Sequence, residues 1–196
     1  MSVAQFRLAR PQDCESIRRI YNTEVQAEAN TFDLLPRTPG DQRAWLARHQ
    51  GVYPALVAVI NRDGTENAHK TAAKPRPTLD QALAASKFRS DQLEQVIGFG
   101  SLSPFRARPA YSTSVEDSVY VDAAHRQAGV GGGILDALIN EASSHGFHTV
   151  IARIVSHNEA SISLHVNHGF RIVGTEVEVG RKHGRWLDVV ELQLML

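Results

Sequence analysis

The sequence cannot form an internal disulfide, because Cys14 is the only cysteine among its 196 residues. It also has no apolar N-terminal segment and no apolar run of 18 residues, so we expect neither a secretion signal nor a membrane-spanning helix. These absences favour a cytoplasmic protein without a membrane partner. Cys14 lies in a polar stretch with no His nearby, which favours a passive thiol over a nucleophile.

Neither sign of charge is in excess, since 21 Lys and Arg residues balance 21 Asp and Glu residues. The basic residues are scattered along the chain, whereas proteins that bind polyanions usually cluster them on one face. We therefore expect no nucleic-acid partner. No set of metal ligands stands out either, and we expect no bound metal.

The length is typical of a single domain, and 42% of the residues are hydrophobic. Short apolar segments predict strands, and apolar side chains at helical spacing predict helices. We expect strands at 6–8, 56–60, 96–102, 117–121, 149–155, 171–179 and 186–196, and helices that open near Pro11 and cover 41–49, 132–144 and 160–168. The intervening helix predicts that strands 117–121 and 149–155 run parallel, and the turn at 180–184 predicts a hairpin.

The polar segment 61–95 separates two predicted strands and is longer than such a connection needs. We expect a flexible insertion here, with a marginal helix at 79–93. It could serve as a substrate lid or a partner-binding arm, or it could be a tolerated surface insertion.

A motif of the form R-x-x-G-x-G lies between a predicted strand and a predicted helix, at residues 126–131. The first turn of a helix leaves backbone N–H groups without partners, and glycine lets an anion approach them closely. The motif is therefore typical of a cradle for a diphosphate. The alternative is a structural helix start in which the glycines at 131–133 act only as a flexible joint.

This segment resembles the acetyl-CoA signature of the GCN5-related N-acetyltransferase (GNAT) superfamily, and other segments resemble its phosphinothricin and methionine sulfoximine N-acetyltransferase branch. Those segments are Tyr21-Asn22, Thr31-Phe32-Asp33, Tyr53-Pro54, Pro104-Phe105-Arg106-Ala107-Arg108, Tyr111, residues 115–121, Asn158, Ala160-Ser161, Leu164-His165, Gly169-Phe170 and residues 182–186. The resemblance implies one α/β domain over 1–196 with the GNAT fold. That fold is a mixed, mostly antiparallel central sheet with a splayed parallel strand pair and helices on both faces.

The resemblance also implies the reaction, which is transfer of an acetyl group from acetyl-CoA, as cosubstrate, to the primary amine of a small amino acid or analogue. Backbone donors would bind the pantetheine arm and the thioester oxygen near Val119, Tyr120 and Val121. The diphosphate would be bound by Arg126, Gln127, Ala128, Gly129, Val130, Gly131 and Gly132. Asn158 would contact the cofactor, or would serve only as a helix cap.

Two side chains are candidates for proton transfer. Glu116 occupies the position of the catalytic carboxylate in the resembled enzymes, and it could take the proton from the attacking amine, directly or through a water. Its alternative role is a solvated carboxylate at a strand end, and Asp117 should face the other way. His165 stands where many members carry Tyr, so it is either a proton donor to the CoA thiolate or a structural His.

The acceptor's carboxylate would pair with Arg106 and Arg108, because a guanidinium donates two parallel bonds, although both could be plain surface charges. Phe32 and Tyr111 would wall the acceptor side chain. By the same resemblance, the hairpin tip at 182–186 implies a homodimer.

The alternative functions are an acetyltransferase of a protein N-terminus or polyamine, and a non-catalytic CoA-binding module. The polyamine alternative needs a more acidic cleft than Glu116, Asp117, Glu24 and Glu28 would provide.

Overall fold

The structure is a computed structural model that describes residues 3–27, 30–61 and 94–196. The strands are β1 (Gln5–Leu8), β2 (Ala55–Asn61), β3 (Glu94–Pro104), β4 (Ser114–Val121), β5 (Thr149–Val155), β6 (Arg171–Lys182) and β7 (Arg185–Met195). The helices are α1 (Cys14–Ala27), α2 (Pro39–Arg48), α3 (Val130–Ser144) and α4 (Glu159–Asn167). None of the helices within these ranges is long and apolar enough to cross a membrane.

The strands form one mixed sheet in the order β1-β2-β3-β4-β5-β7-β6. Only the β4–β5 pair is parallel among the pairs described, which confirms the expected parallel crossover through α3. The final strand, β7, inserts between β5 and β6 and pairs antiparallel with both. The sheet is therefore mixed and mostly antiparallel, as the resemblance implied.

Helices cover both faces of the sheet because the strands alternate their side chains between two separate apolar cores. One core packs α1 and α2 against β2 and β3, and includes Ile17, Trp45 and Phe99. The other core packs α3 against the sheet through Ile134 and Leu138. We refer to these as the α1/α2 face and the α3/α4 face.

Several predicted boundaries are corrected by the structure. Helix α2 starts at Pro39, two residues early, because Thr38 caps it and forms a reciprocal capping box with Asp41. The last hairpin closes through His183 and Gly184 alone, both with positive φ, so its strands extend further than expected. Of the expected insertion 61–95, the two ends belong to β2 and β3, and 62–93 lie outside the described residues.

Candidate active site

A cleft opens where β4 and β5 diverge. Their pairing covers only three positions and ends at Glu116 opposite Ile151, although both strands continue for several residues. The cleft has a volume of about 650 Å³. Its lining includes residues 117–121 of β4, residues 152–154 of β5, residues 157–161, and Arg126, Gln127, Gly129, Gly131 and Gly132.

The backbone of β4 presents donors to this cleft at alternate residues. The N–H of Asp122 donates to the carbonyl of Ile97 at 2.9 Å, so it points towards β3. Because successive peptide groups in a strand face opposite sides, the N–H groups of Val119 and Val121 point towards the gap beside β5. The N–H of Tyr120 points towards β3, so Tyr120 lines the cleft without offering it a backbone donor.

Helix α3 begins at the far end of the cleft, within the glycine motif. Gly129 caps it in the left-handed region with φ of 78°, and Gln127 has a φ of 60°. The N–H groups of Val130, Gly131 and Gly132 fall in the first turn and have no partner within the helix. The segment thus has both the unpaired donors and the positive helix end that an anion requires.

Arg126 does not point freely into solvent. Its guanidinium pairs with the carboxylate of Glu24 on α1, and its Nε donates to the carbonyl of Val121 at 3.4 Å. Both charged residues line the cleft. A bound diphosphate would compete with Glu24 for this arginine.

His165 is buried at the base of the cleft with both ring nitrogens occupied. Nδ1 lies 2.7 Å from the carbonyl of Ser161, and Nε2 lies 3.0 Å from a carboxylate oxygen of Asp117. A backbone carbonyl and an ionised carboxylate are both acceptors, so this geometry suits a ring that donates from both nitrogens. Burial opposes a charge on the ring, but the bond and charge of Asp117 outweigh it, and the pKa of His165 is raised.

This arrangement favours the structural role of His165 over that of proton donor to a leaving group. Asp117 contributes a further polar atom, because its other carboxylate oxygen is buried without a hydrogen-bond partner among the described residues. Asp117 lines the cleft. An N–H group of a ligand in the cleft would satisfy that oxygen.

Glu116 lies on the opposite side of the sheet from Asp117, as strand alternation predicted. Its neighbour Val115 belongs to the α3/α4 core, whereas Tyr120 packs with the α1/α2 core, which places Glu116 on the α1/α2 face. Glu116 is the third residue of β4 and not a residue preceding the strand. Burial raises the pKa of its carboxyl group, and the charge of Arg153 opposes the rise.

Strand β3 brings a second polar pair beside this carboxylate. Ser103 is directly opposite Glu116 in the sheet register and therefore shares its face. Nε2 of His49 lies 3.1 Å from the Ser103 hydroxyl, and its Nδ1 lies 2.8 Å from the carbonyl of Trp45. Since Nδ1 must donate to a carbonyl, Nε2 of a neutral His49 accepts from Ser103. Burial lowers the pKa of His49, which favours the neutral ring.

Three charged residues that the sequence reasoning missed share the face of Glu116. Arg153 of β5 is opposite Glu191 of β7, and it forms an ion pair with Glu176 of β6. The acidic residues that the sequence suggested near Glu116 are not grouped around it. Asp117 pairs with His165 on the other face, Glu24 pairs with Arg126, and Glu28 lies outside the described residues.

The loop between β3 and β4 carries the two predicted arginines. It leads into the start of β4 at Ser114, two residues before Glu116. Arg106 stacks over the rings of Phe105 and Tyr111, at 4.7 and 5.4 Å from the ring centroids. Arg106 and Arg108 are exposed, and neither forms an ion pair within the described residues. Their charges are therefore available to a ligand carboxylate.

Phe32 lies in the loop between α1 and α2, which is joined to the last hairpin. A Cβ on Gly180 would collide with the Phe32 ring, so the glycine allows the ring to pack directly on β6. The buried Lys182 donates from Nζ to the carbonyl of Thr31 at 2.8 Å. This loop and the arginine loop stand at opposite ends of the face that carries Glu116.

Asn158 caps helix α4, and its side-chain oxygen accepts from the N–H of Ser161 at 3.2 Å. It also lines the cleft, so the two alternatives for this residue are compatible. Helix α4 carries His165, and the cap fixes the start of the helix that holds the histidine.

The missed residues could have been found only in part from the sequence. Alternation along β5, β6 and β7 places Arg153, Glu176 and Glu191 each on one face of its own strand. Whether these three faces lie on the same side of the sheet depends on the strand order. The insertion of β7 between β5 and β6 has no local sequence signal.

Comparison with known proteins finds similarity along most of the chain. The sequence model of the acetyltransferase (GNAT) domain matches residues 6–190. A phosphinothricin acetyltransferase from Sinorhizobium meliloti, solved in complex with acetyl-CoA, superposes with a TM-score of 0.79 at 30% identity. That match covers 100% of this chain and 89% of the other.

Two curated relatives are similar over almost their whole lengths. An L-methionine sulfoximine/L-methionine sulfone acetyltransferase from Pseudomonas paraeruginosa is 35% identical, over 98% of this chain and 95% of its own. A phosphinothricin N-acetyltransferase from Streptomyces coelicolor is 33% identical, over 94% of this chain and 92% of its own.

Proposed function

The chain belongs to the GNAT acetyltransferase family, and we propose that it acetylates the α-amine of a small amino acid or analogue of the phosphinothricin, methionine sulfoximine or methionine sulfone type. Acetyl-CoA is the cosubstrate, and it supplies an acetyl group activated as a thioester. The acceptors named for the two curated relatives support this acceptor class.

The β4–β5 cleft and the start of α3 would hold acetyl-CoA. Unpaired N–H groups at Val130, Gly131 and Gly132 suit the diphosphate, with Arg126 adding positive charge beside them. The N–H groups of Val119 and Val121 suit the polar groups of the pantetheine arm and the thioester oxygen. Asn158 would complete the wall of the cleft.

Glu116 would act as the general base, and its placement is the observation that supports the proposed reaction best. It is the last residue of β4 that pairs with β5 and directly precedes the cleft-lining Asp117, which is bonded to His165 on the other face. An acceptor must lose a proton to attack, since an ammonium has no lone pair. A raised carboxyl pKa makes Glu116 a stronger base for this transfer.

The other predicted acceptor contacts fit around Glu116. Arg106 and Arg108 would pair with the acceptor's carboxylate, because neither is neutralised by an ion pair within the described residues. Tyr111 would stand at the same end, and Phe32 would bound the opposite end of the acceptor site. His165 would support α4 through its bond to Asp117 and would not exchange protons with either substrate.

Replacing Glu116 with Gln tests the proposed base. We expect turnover with methionine sulfone and acetyl-CoA to fall by about 10²- to 10⁴-fold, with acetyl-CoA affinity almost unchanged. In the native enzyme, kcat/KM should fall as the pH drops through the raised pKa of Glu116, because protonation removes the base. The variant should lack this acid limb. Undiminished turnover of E116Q would exclude Glu116 from the reaction.

An acceptor panel tests the substrate class. Release of CoA thiol would be followed with phosphinothricin, methionine sulfoximine, methionine sulfone, a diamine and a short peptide with a free N-terminus. We expect turnover with the first three compounds. Turnover only with the diamine or the peptide would replace the proposed acceptor class, and acetyl-CoA binding without turnover of any amine would indicate a non-catalytic module.

The proposal extends to a homodimer that works in the cytoplasm, where acetyl-CoA is available. Strand β6 is an edge strand of 12 residues whose side chains are almost all exposed. Val177 is 73% exposed, and Val173 and Val179 are each about half exposed. Because a long apolar edge readily pairs with another chain, a second copy is the partner that this surface fits.

A further inference from the structure

Glu116 has no hydrogen-bond or ion-pair partner among the described residues, although it shares its face of the sheet with an arginine. Arg153 is two residues beyond Ile151, the partner of Glu116 in the β4–β5 register. Strands are spaced ~4.8 Å apart and rise ~3.3 Å per residue, which puts the two Cα atoms about 8 Å or slightly more apart. An extended arginine could therefore reach the Glu116 carboxylate.

The arginine points the other way. It leaves β5, passes over Glu191 of β7, and forms its ion pair with Glu176 of β6. Its guanidinium hence lies on the side of β5 away from β4. Arg153 is part of the cleft lining, whereas Glu176 is not.

A direct pair between Arg153 and Glu116 would harm a general base. The guanidinium would occupy the carboxylate oxygens that must accept the amine's proton, and it would also stabilise the ionised carboxylate. We propose that Glu176 is a positioning residue that holds Arg153 over β7 and so keeps it from pairing with Glu116. This inference rests on the proposed role of Glu116 as the base.

The charged surroundings are consistent with a competition for one cation. Arg153, Glu191 and Glu176 face Glu116 from β5, β7 and β6. Strand β3 contributes the uncharged Ser103, bonded to His49 of α2. The pKa of Arg153 is raised, because the bond and charge of Glu176, and then the charges of Glu116 and Glu191, outweigh its burial.

The ion pair need not be strong for this role. Arg153 and Glu176 are both about one third exposed, and exposed ion pairs contribute ~0–1 kcal/mol to stability. What matters is the choice between two carboxylates. Glu116 is the more buried of the two, so pairing with it costs more desolvation of the guanidinium. Arg153 therefore pairs with Glu176 as long as Glu176 is charged.

Replacing Glu176 with Gln tests the inference through the pH dependence of kcat/KM with methionine sulfone. Arg153 should turn towards Glu116, so the acid limb should move to lower pH by up to about one unit, since the carboxylate then keeps its charge longer. The plateau should fall by about three- to tenfold, because the base is weaker and partly occupied. Acetyl-CoA affinity should be unchanged.

Two further variants make the result specific. In the E176Q/R153M double variant Arg153 can no longer pair with Glu116, so the plateau should return to within about twofold of the native value, and the acid limb should move above the native position. E178Q is the matched control, because Glu178 lies two residues along β6 and its side chain forms no ion pair with Arg153. It should behave like the native enzyme.

The inference is overturned if E176Q keeps the native plateau and acid limb, or if the double variant stays as slow as E176Q. Either result can occur while E116Q remains inactive, in which case the proposed function stands and only the role of Glu176 fails. Full activity of E116Q would instead remove the base itself.

Discussion

Glu116 and Asp117 are adjacent in sequence and chemically similar, yet the strand gives them opposite surroundings. Asp117 is buried and hydrogen-bonded to His165 on the α3/α4 face, whereas Glu116 has no partner within the described residues on the α1/α2 face. Alternation along β4 is the whole cause of the difference. A carboxylate without a partner can accept a proton, whereas a carboxylate in an ion pair stabilises the fold.

Replacing His165 with Leu should expose its structural role. The change leaves the Asp117 carboxylate buried without its cation, which should cost about 3–5 kcal/mol of unfolding free energy. The H165L/D117L double variant should recover most of this loss, because it removes both charges. Thermal unfolding with and without acetyl-CoA measures both effects.

The pH dependence of stability gives an independent check. The pKa of folded His165 is raised above its ordinary value of 6.5, so the pair stabilises the fold fully below that value. Its contribution is lost as the pH rises through the raised pKa. The native melting temperature should therefore fall over this range relative to that of the double variant. A stable H165L with an altered pH–rate profile would instead indicate a catalytic histidine.

At the scale of elements, the start of α3 combines glycines with different tasks. A Cβ on Gly131 would lie 3.4 Å from Leu164 and 3.6 Å from Val121, which are ordinary contacts. A Cβ on Gly133 would collide with the Phe6 ring of β1. The protein would therefore tolerate a Cβ on the cleft-lining Gly131, whereas Gly133 lets the helix pack against the edge of the sheet.

Substitution of these two glycines should separate ligand binding from folding. In G131V the added side chain should block the diphosphate and weaken acetyl-CoA binding by about tenfold or more, or roughly 1.4 kcal/mol. Its melting temperature should stay close to native. G133A should lose about 1–3 kcal/mol of stability through overpacking and should still bind acetyl-CoA. Calorimetry of both variants decides, and undiminished affinity in G131V would mean that the diphosphate binds elsewhere.

At the scale of the whole molecule, one sheet carries both halves of the proposed site. The β4–β5 split opens the cosubstrate cleft, and the α1/α2 face beyond it carries Glu116 between the loops of Phe32 and Arg106. The bond from Lys182 to Thr31 ties the last hairpin to the first loop. Residues from both ends of the chain therefore shape the acceptor side.

The exposed edge strand is the whole-molecule feature that bears on assembly. We expect the native chain to run as a dimer in size-exclusion chromatography with light scattering. V177E/V179E should shift it to a monomer, since charges on the edge prevent pairing of strands and burial of apolar side chains. V3E is the control, because Val3 is 84% exposed but lies outside β6. A native monomer, or a dimer that survives V177E/V179E, would contradict the proposed interface.

Sequence alone determined the elements and much of the chemistry. Apolar periodicity gave β5 its observed limits, the crossover helix predicted a parallel pair, and the glycine motif with its resemblance identified an acetyltransferase. These features depend on neighbours within a few residues, so they can be predicted from the local sequence. The opposite orientation of Glu116 and Asp117 belongs to the same class.

Only the tertiary structure decided which distant side chains meet. The order β5-β7-β6 brings Arg153 to Glu176, and the α4–β4 contact joins His165 to Asp117. The direction of the Tyr120 N–H likewise depends on which neighbour β4 pairs with. Register and strand order arise from packing of the whole sheet, and an ion pair between strands has no signature in either strand alone.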